Sequence, residues 1–423
     1  MSNNHLNNER DSTMLHSTFP PGVDTDQEWL HMLREHAPML FDCVDLERLE
    51  EGRRVVQRIS AITSDFDSMT RGGRGESYRR AQTSTFVRTR GILGLFNLLS
   101  PHRDFRNLPC DSKILDVLGG DGLLARVMSQ IAGERFSNCI LTGDLSEDMI
   151  HAAEAYGLVA ICQAAQHLIL RDGCVDGVIL AYGTHHIPRQ DRLRVCQEAH
   201  RVLRVDGKVL LHDFEDASPV ARWFSEVVDR FSRTGHAFQH FTITEMREYL
   251  LSSGFTDVYV EYLYDPFILT ADSEARARRA LAGYLIDMYG LEFPLQDSNY
   301  ERALHQAYKL ADEYFRYDYN ALGLDPDFGA SRIRLYKING RVHIELPRVA
   351  IVGIGTRKSR PSVTPAPANV RNPLRGGLVQ TLPQNGEIRA VFTSCGNVNP
   401  QLGQCNRLDD VLDTVEPTGH PWS

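Results

Sequence analysis

Three glycines and two aspartates are crowded into the segment "KILDVLGGDGLLARV", residues 113–127. Gly119, Gly120 and Gly122 separate a short apolar run from the beginning of a helical pattern. A glycine-rich turn between a strand and a helix lets a ligand approach the backbone closely, and the helix N-terminus offers free N–H groups. On glycine spacing alone, a plain strand-to-helix turn is an equally good interpretation.

Acidic residues at the ends of two predicted strands favour the ligand-binding interpretation. Asp116 precedes the glycines, and Asp144 ends the next apolar run in "ILTGDLSEDM". A carboxylate at the second position can accept hydrogen bonds from both hydroxyls of a ribose. The dinucleotide fingerprint GxGxxG is absent, so phosphate binding is not what this loop is best suited for.

Histidines follow the fourth and fifth apolar runs. His185 and His186 come after "VILAYG", and His212 lies near the end of "GKVLLHDF". Ligands of a parallel α/β sheet bind outside the carboxyl ends of its strands, so each of these histidines is a candidate general base. The competing interpretation is that they orient a loop or satisfy backbone groups.

The elements that must position these residues are predicted from hydrophobic periodicity. Between residues 113 and 214, short β-branched runs alternate with amphipathic stretches, which predicts a parallel sheet with helices on its faces. Helical spacing predicts an N-terminal helical segment or lid over 26–110. Residues 265–358 are expected to form a helical insertion, a hairpin at Asn339-Gly340 and a closing strand. Polar residues 1–25 and the Pro- and Gly-rich residues 359–423 are expected to be disordered.

Five segments occur in an order that resembles a known family. They are "ILDVLGGDG", "GDLSEDMIHAA", "VDGVILAYGTHHIP", "AHRVLRVDGKVLLHDF" and "SSGFTDV". Together they resemble the class I S-adenosylmethionine-dependent methyltransferases, in the group with the ubiquinone and menaquinone C-methyltransferases and natural-product small-molecule methyltransferases. The resemblance covers about residues 113–260. It implies a Rossmann-like α/β sheet with helices on both faces as the cofactor-binding core at 111–264, and S-adenosyl-L-methionine as cofactor.

The resemblance also implies a set of cofactor-binding residues. Asp116 would lie near the methionine amino group with the glycine loop against it, and Asp144 would hold the ribose. The full set is Asp116, Gly119, Gly120, Gly122, Asp144, Leu145, Met149, Gln166, Ala181 and Tyr182. Two positions depart from the family pattern. Leu118 replaces a small residue, and Ala164 replaces the usual adenine-reading acid, so Gln163 or Gln166 is expected to supply a neutral acceptor.

The same alignment bears on catalysis. Tyr182 would face the sulfonium of the cofactor. Adjacent residues of an extended segment point to opposite sides, so at most one of His185 and His186 should face the methyl acceptor, and alternation from Tyr182 favours His186. His212 is the remaining candidate. Arg88 or Arg90 could pair with the cofactor carboxylate, although a solvated helix face is the favoured interpretation.

Composition narrows the partners. A formal net charge of -9 argues against a nucleic-acid partner and disfavours a protein or RNA methyl acceptor. The sequence shows no pattern of a membrane span or a signal peptide, so we expect a cytoplasmic protein. A homodimer is compatible with the sequence. The eight cysteines form no CxxC pair, and no residue set at metal-ligand spacing appears near the strand ends other than His212-Asp213, so no metal is expected.

Two functions therefore stay open. The first is methyl transfer to a small-molecule acceptor, either a compound of secondary metabolism or a quinone-like compound. The second is binding of the cofactor or a product without methylation, in a regulatory or structural role.

Overall fold

The computed structural model describes residues 25–60, 65–66, 72–133, 136, 139–294, 299–359 and 389–390. The segment 1–24 and nearly all of 360–423, for which the sequence predicts disorder, lie outside the described residues. Within the described residues, no helix is both long enough and apolar enough to cross a membrane. The six cysteines there are all free thiols.

Eleven strands are assigned in the described residues. They are β1 Ile114–Asp116, β2 Ile140–Asp144, β3 Ala160–Cys162, β4 Val175–Leu180, β5 Leu203–Asp213, β6 Thr256–Tyr264, β7 Phe267–Ala271, β8 Arg334–Ile338, β9 Arg341–Leu346, β10 Val349–Thr356 and β11 Arg389–Ala390.

The main sheet has the order β11-β6-β10-β5-β4-β1-β2-β3. Strands β1 to β5 pair in parallel, while β10 is inserted antiparallel between β5 and β6. The chain order therefore reverses direction at β1, where β1 lies between β2 and β4. Ligands of open α/β sheets bind at such a switch point, outside the carboxyl ends of the strands.

Thirteen α-helices are assigned in the described residues. They are α1 Thr25–His36, α2 Pro38–Phe41, α3 Leu46–Ser60, α4 Gly75–Gln82, α5 Thr89–Leu99, α6 Leu123–Ala132, α7 Glu147–Ala155, α8 Arg189–Val202, α9 Pro219–Trp223, α10 Asp229–Phe231, α11 Ile243–Ser252, α12 Glu274–Tyr289 and α13 Tyr300–Tyr314. A five-residue π-helical stretch, Phe224–Val228, joins α9 to α10.

Helices cover both faces of the main sheet because its buried strands are apolar on both sides. On one face, Ile114 and Ile179 pack with residues of α5 and α6. On the other, Leu115 and Val178 pack in a cluster that includes residues of α8 and α11. The alternation along each strand is that of pleated backbone. The predicted α/β sheet with helices on both faces is confirmed.

A second, smaller sheet has the antiparallel order β7-β9-β8. The predicted hairpin is confirmed as β8 and β9, whose turn places Asn339 and Gly340 at positive φ. Strand β7 was not predicted, because "FILTA" is short and gains its strand character from pairing with β9. This sheet shares a core with α4, α9 and α12, so the insertion builds its own apolar cluster beside the main sheet.

Two further differences concern strand ends. Strand β5 begins at Leu203, four residues before the predicted apolar run at 207. Strand β11 extends the sheet edge beyond β6 within a segment for which disorder was predicted. A two-residue edge pairing uses backbone groups and leaves no periodic signal in the sequence.

Helix α5 carries glycines where it contacts Asp265 and Leu263. A Cβ atom at Gly91 would lie 1.7 Å from Asp265 Oδ1, and one at Gly94 would lie 2.5 Å from Leu263 Cδ1. The absence of side chains at these positions is what leaves room for Asp265, a buried acid just after β6.

We predict that Gly91→Ala lowers the free energy of unfolding by about 1–3 kcal/mol, the range for overpacking a filled core. Denaturant unfolding would measure it. Gly283→Ala in helix α12 is the matched control, because a Cβ atom at Gly283 would lie 3.5 Å from its nearest neighbour, the hydroxyl oxygen of Tyr300. There the substitution should be neutral or stabilise by up to about 1 kcal/mol. Equal effects of the two changes would contradict the packing argument.

Candidate active site

The glycine loop lies at the carboxyl end of β1, and helix α6 begins directly after it. Gly120 has φ +55° and Gly122 has φ +79°, a backbone region that favours glycine. Gly119 is restricted by space instead, since its Cβ would lie 2.6 Å from Thr142 Cγ2 and 3.0 Å from Asp116 Oδ2. A backbone or packing constraint therefore explains why glycine occupies each of these three positions.

Asp116 is buried beneath this loop with only 1% of its surface exposed, and neither carboxylate oxygen has a hydrogen-bond partner. Burial, with a smaller contribution from the nearby Asp144, raises the pKa of Asp116 to about 8. A buried carboxylate without a partner is costly unless a cation or a donor compensates it. The site is therefore suited to a cationic group of a ligand.

Asp144 ends β2 on the opposite side of the loop. Its Oδ2 accepts a hydrogen bond from the Gly120 N–H at 2.9 Å, and its Oδ1 accepts one from the Ser146 N–H at 2.9 Å. Burial raises the pKa of this carboxyl to about 6. Each oxygen keeps a further lone pair, so the carboxylate can still accept hydrogen bonds from a ligand's hydroxyls.

The residues predicted around an adenine occupy different surroundings. Leu145 is half-buried and Met149 is buried on α7. Gln163 is buried, but its Oε1 already accepts a hydrogen bond from the Ile169 N–H at 3.1 Å, while its Nε2 has no partner. The expectation that Gln163 supplies an acceptor stays a prediction, because Oε1 keeps a second lone pair, and the unpartnered Nε2 adds a donor. Gln166 is half-buried and lines a surface groove with Arg58 and Arg194.

At the end of β4, Ala181 is buried and Tyr182 adopts φ +62°, so the chain leaves the strand there. The Tyr182 hydroxyl donates to Asp265 Oδ1 at 3.2 Å, and the Arg88 Cζ lies 3.8 Å from the centre of the Tyr182 ring. Leu118 packs next to Gly183. The favoured interpretation of Arg88 as part of a solvated helix face is wrong, since only 4% of it is exposed.

Arg90 has a different environment from Arg88. Its side chain is one-third exposed, and its Nη1 lies 3.5 Å from Glu345 Oε1. It therefore has a protein carboxylate as partner.

His212 lies beside Tyr182, with ring centres 4.6 Å apart. It is fully buried, neither ring nitrogen has a hydrogen-bond partner, and its Nε2 is 3.8 Å from Asp265 Oδ2. Burial opposes ionisation of Asp265, but Arg348 holds its pKa below the usual range. Asp265 was missed in the sequence. Its only local signal is an acid followed by Pro266 after a strand.

His185 and His186 do not alternate as an extended segment would. Thr184–His186 is a single 3-10 turn, and the two imidazole rings lie 4.5 Å apart. The premise that favoured His186 is therefore wrong, and both rings belong to one cluster. His236 and His240 also contact this cluster, with ring centres 5.0 and 4.6 Å from His185.

Asp213 anchors the histidine cluster from the end of β5. It accepts hydrogen bonds from His185 Nδ1 at 3.1 Å, His240 Nδ1 at 2.8 Å, the Phe214 N–H and the Thr184 hydroxyl. Burial opposes its ionisation, but His185 and His240 hold the pKa of Asp213 well below the usual range. The expectation that no metal-ligating set other than His212-Asp213 lies near the strand ends is wrong, because the tertiary fold brings His240 next to His185 and Asp213.

Comparisons with known proteins agree with this geometry. A family model described as a methyltransferase domain matches residues 115–211. A ubiquinone/menaquinone biosynthesis C-methyltransferase of Rickettsia bellii is 26% identical over 222 residues, which cover 48% of this chain and 79% of that protein. Residues 115–211 therefore form a methyltransferase domain, and the chain is similar to the class I S-adenosylmethionine-dependent methyltransferases.

Other relatives match over shorter stretches. A ubiquinone/menaquinone biosynthesis C-methyltransferase of Bordetella avium is 31% identical over 124 residues, which cover 27% of this chain and 46% of that protein. Among solved structures, a methyltransferase of Thermotoga maritima, described as a possible histamine N-methyltransferase, has a TM-score of 0.38 and 13% identity over 67% of this chain and 95% of that one. The family assignment rests on the sequence matches and the strand order.

The cofactor of this methyltransferase family, S-adenosylmethionine, carries a cationic sulfonium, an ammonium group and a ribose. The unpartnered Asp116 carboxylate, the Gly119 position that a Cβ would fill and the remaining lone pairs of the Asp144 carboxylate are compatible with such a molecule. The residues at the end of β1 and β2 therefore fit the cofactor of the family.

We predict that Asp116→Asn stabilises the ligand-free protein at pH 8. The pKa of Asp116 is about 8 in the folded protein against an ordinary value of 3.8, so the stability that its protonated form contributes is complete below about pH 4 and is lost as the pH rises through 8. The Tm difference between the variant and the natural protein should grow from pH 5 to pH 8.

Thermal unfolding at several pH values would measure this difference. Asp327→Asn, at an exposed position, is the control and should leave the pH profile unchanged. Parallel profiles for Asp116→Asn and the natural protein would show that Asp116 is not buried in its protonated form.

Proposed function

We propose that this protein transfers a methyl group from S-adenosylmethionine to a small-molecule acceptor in the cytoplasm. The observation that carries the proposal is the unpartnered, buried Asp116 carboxylate beneath a loop in which Gly119 has no space for a Cβ and Gly120 and Gly122 have positive φ. Such an arrangement has no evident role in folding alone, because it costs stability. The natural compensation is a bound cation.

We assign cofactor binding to residues at the ends of β1, β2 and β4. Asp116 would hold the methionine ammonium, Asp144 the ribose hydroxyls, and Leu145 and Met149 the adenine. Gln163 Nε2, a buried donor without a partner, would reach a ring nitrogen of the adenine. Charge-assisted hydrogen bonds of this kind contribute more than neutral ones.

Proton removal from the acceptor would fall to His212. When bound, the cofactor supplies an electrophilic methyl group, and the protein's main contribution is to hold the two reactants in line. His212 is buried, has no hydrogen-bond partner on either nitrogen, and lies next to both Tyr182 and Asp265. Asp265 would stabilise the imidazolium that forms after proton transfer.

The acceptor pocket would lie between the strand ends and the insertion. Tyr284 on α12 is buried with an unpartnered hydroxyl, and both it and Arg88 pack against Phe267 of β7. This wall is aromatic with a few polar groups, which suits a small, partly apolar molecule with an ionisable oxygen or nitrogen. The net charge of -9 is consistent with a partner other than nucleic acid.

The second candidate function is binding without methylation. Leu118, in place of a small residue, packs next to Gly183 close to Tyr182 and narrows the methionine side of the site. A test is incubation of the purified protein with radiolabelled S-adenosylmethionine and an extract of its own cells. Label in solvent-extractable molecules supports the proposal. Binding without transfer supports the second function, and label in macromolecules would contradict a small-molecule acceptor.

We predict that Asp144→Ala weakens S-adenosylmethionine binding by about 1.5–3 kcal/mol, the range for hydrogen bonds to a charged group. Calorimetry would measure the affinity. The exposed-site variant Asp327→Asn should bind as the natural protein does. Unchanged affinity in a folded Asp144→Ala protein would remove this carboxylate from the cofactor site.

We predict that His212→Asn lowers turnover by about 100-fold or more, at the lower end of general acid–base contributions, with cofactor affinity nearly unchanged. Single-turnover kinetics with an acceptor identified by the labelling experiment would measure it. His305→Ala, at an exposed position on α13, is the control. Full activity in His212→Asn together with a large loss in His186→Ala would move the base to the histidine cluster.

A further inference from the structure

The histidine cluster has features that packing alone does not explain. The members are His185, His186, His236 and His240, gathered around Asp213 from two separate stretches of chain. Three of these imidazoles are at most 5% exposed, and the fourth, His186, has 18% of its side chain exposed. Burying four basic side chains together is unfavourable unless they share a ligand or stay neutral.

Their unpartnered nitrogens converge. One nitrogen from each of His185, His186 and His236 lies within 4.8 Å of the other two. His185 Nε2, both nitrogens of His236 and His240 Nε2 are buried and have no hydrogen-bond partner. We propose that His185, His186 and His236 bind one late first-row divalent cation such as Zn²⁺.

The distances suit such an ion after small ring rotations. Metal–nitrogen bonds of about 2.0–2.1 Å place two ligand nitrogens of a tetrahedral site roughly 3.4 Å apart. A shift on the order of 1 Å per ring closes the gap from the spacing given above. Neutral imidazole donors without a coordinating thiolate favour Zn²⁺ and its neighbours over Mg²⁺ or Ca²⁺.

Carboxylates lie near the ring nitrogens that would not bind the metal, an arrangement found in many metal sites. Asp213 holds the Nδ1 of His185, so Nε2 is the nitrogen that remains available to a metal ion. Asp65 Oδ2 lies 3.8 Å from His186 Nδ1 on the opposite side. Asp213 also fixes His240 by its Nδ1, so the free Nε2 of His240 is the nearest additional donor.

Three protein ligands leave at least one coordination position for a water molecule or for an oxygen of the acceptor. His186 and the partly exposed Phe238, whose rings lie 4.4 Å apart, border the cluster on its more accessible side. Asp213 directly follows His212 in the chain, so the ion would lie beside the strand ends that carry the proposed methyl-transfer site. This inference concerns the metal alone and does not depend on methyl transfer.

The test uses the full-length protein without a histidine tag. Its metal content after growth in zinc-supplemented medium is measured by mass spectrometry, and the chelator-treated protein is titrated with Co²⁺ while its visible absorption is recorded. We expect about one metal ion per chain and the absorption bands of a tetrahedral Co²⁺ site.

His236→Phe removes two nitrogen donors but keeps a ring that can stack on Phe224. The variant should therefore fold and bind S-adenosylmethionine, while its affinity for Co²⁺ drops by about 100-fold or more. His186→Phe should behave alike, and His305→Ala should bind metal normally. The proposal is overturned if the folded natural protein holds no metal and shows no Co²⁺ bands. It is equally overturned if both phenylalanine variants bind Co²⁺ unchanged.

Discussion

The buried carboxylate of Asp116 is the constraint on which the architecture of the site depends. A charge in that position is unfavourable, and burial raises the pKa of the carboxyl to about 8. The loop above it must then be made of glycines, since Gly119 has no space for a Cβ and Gly120 and Gly122 require positive φ. The stability lost here is compatible with a function that supplies a cation.

A second set of buried charges, around Asp265, lies on the side of the site formed by the insertion and the N-terminal helices. Asp265 follows β6, accepts hydrogen bonds from Tyr182 and Arg348, and fits only because Gly91 of α5 has no side chain. Through these contacts the N-terminal helices, the main sheet and the insertion meet at one place. The N-terminal segment and the insertion therefore contribute side chains to the site, because they place Arg88 and Tyr284 beside the ends of the main-sheet strands.

Local sequence signals were enough to predict much of the fold and the glycine loop after β1. The apolar runs between residues 113 and 214 predicted β1 to β5, and Asn339-Gly340 predicted the hairpin of β8 and β9. Strand β7 and the four-histidine cluster were not predictable in this way. Strand β7 depends on pairing with β9, and His236 reaches His185 only through the tertiary fold. The alternation assumed for His185 and His186 was wrong because Tyr182 breaks the extended backbone.

Proton release on binding is the most direct test of the central claim that Asp116 receives the cationic methionine end of S-adenosylmethionine. Calorimetry at pH 7 in buffers of different ionisation enthalpy measures the protons exchanged. Since the pKa of Asp116 is about 8 before binding, we predict a net release of protons by the natural protein and none by Asp116→Asn, which binds more weakly. Equal affinity and equal proton exchange in the two proteins would contradict the account.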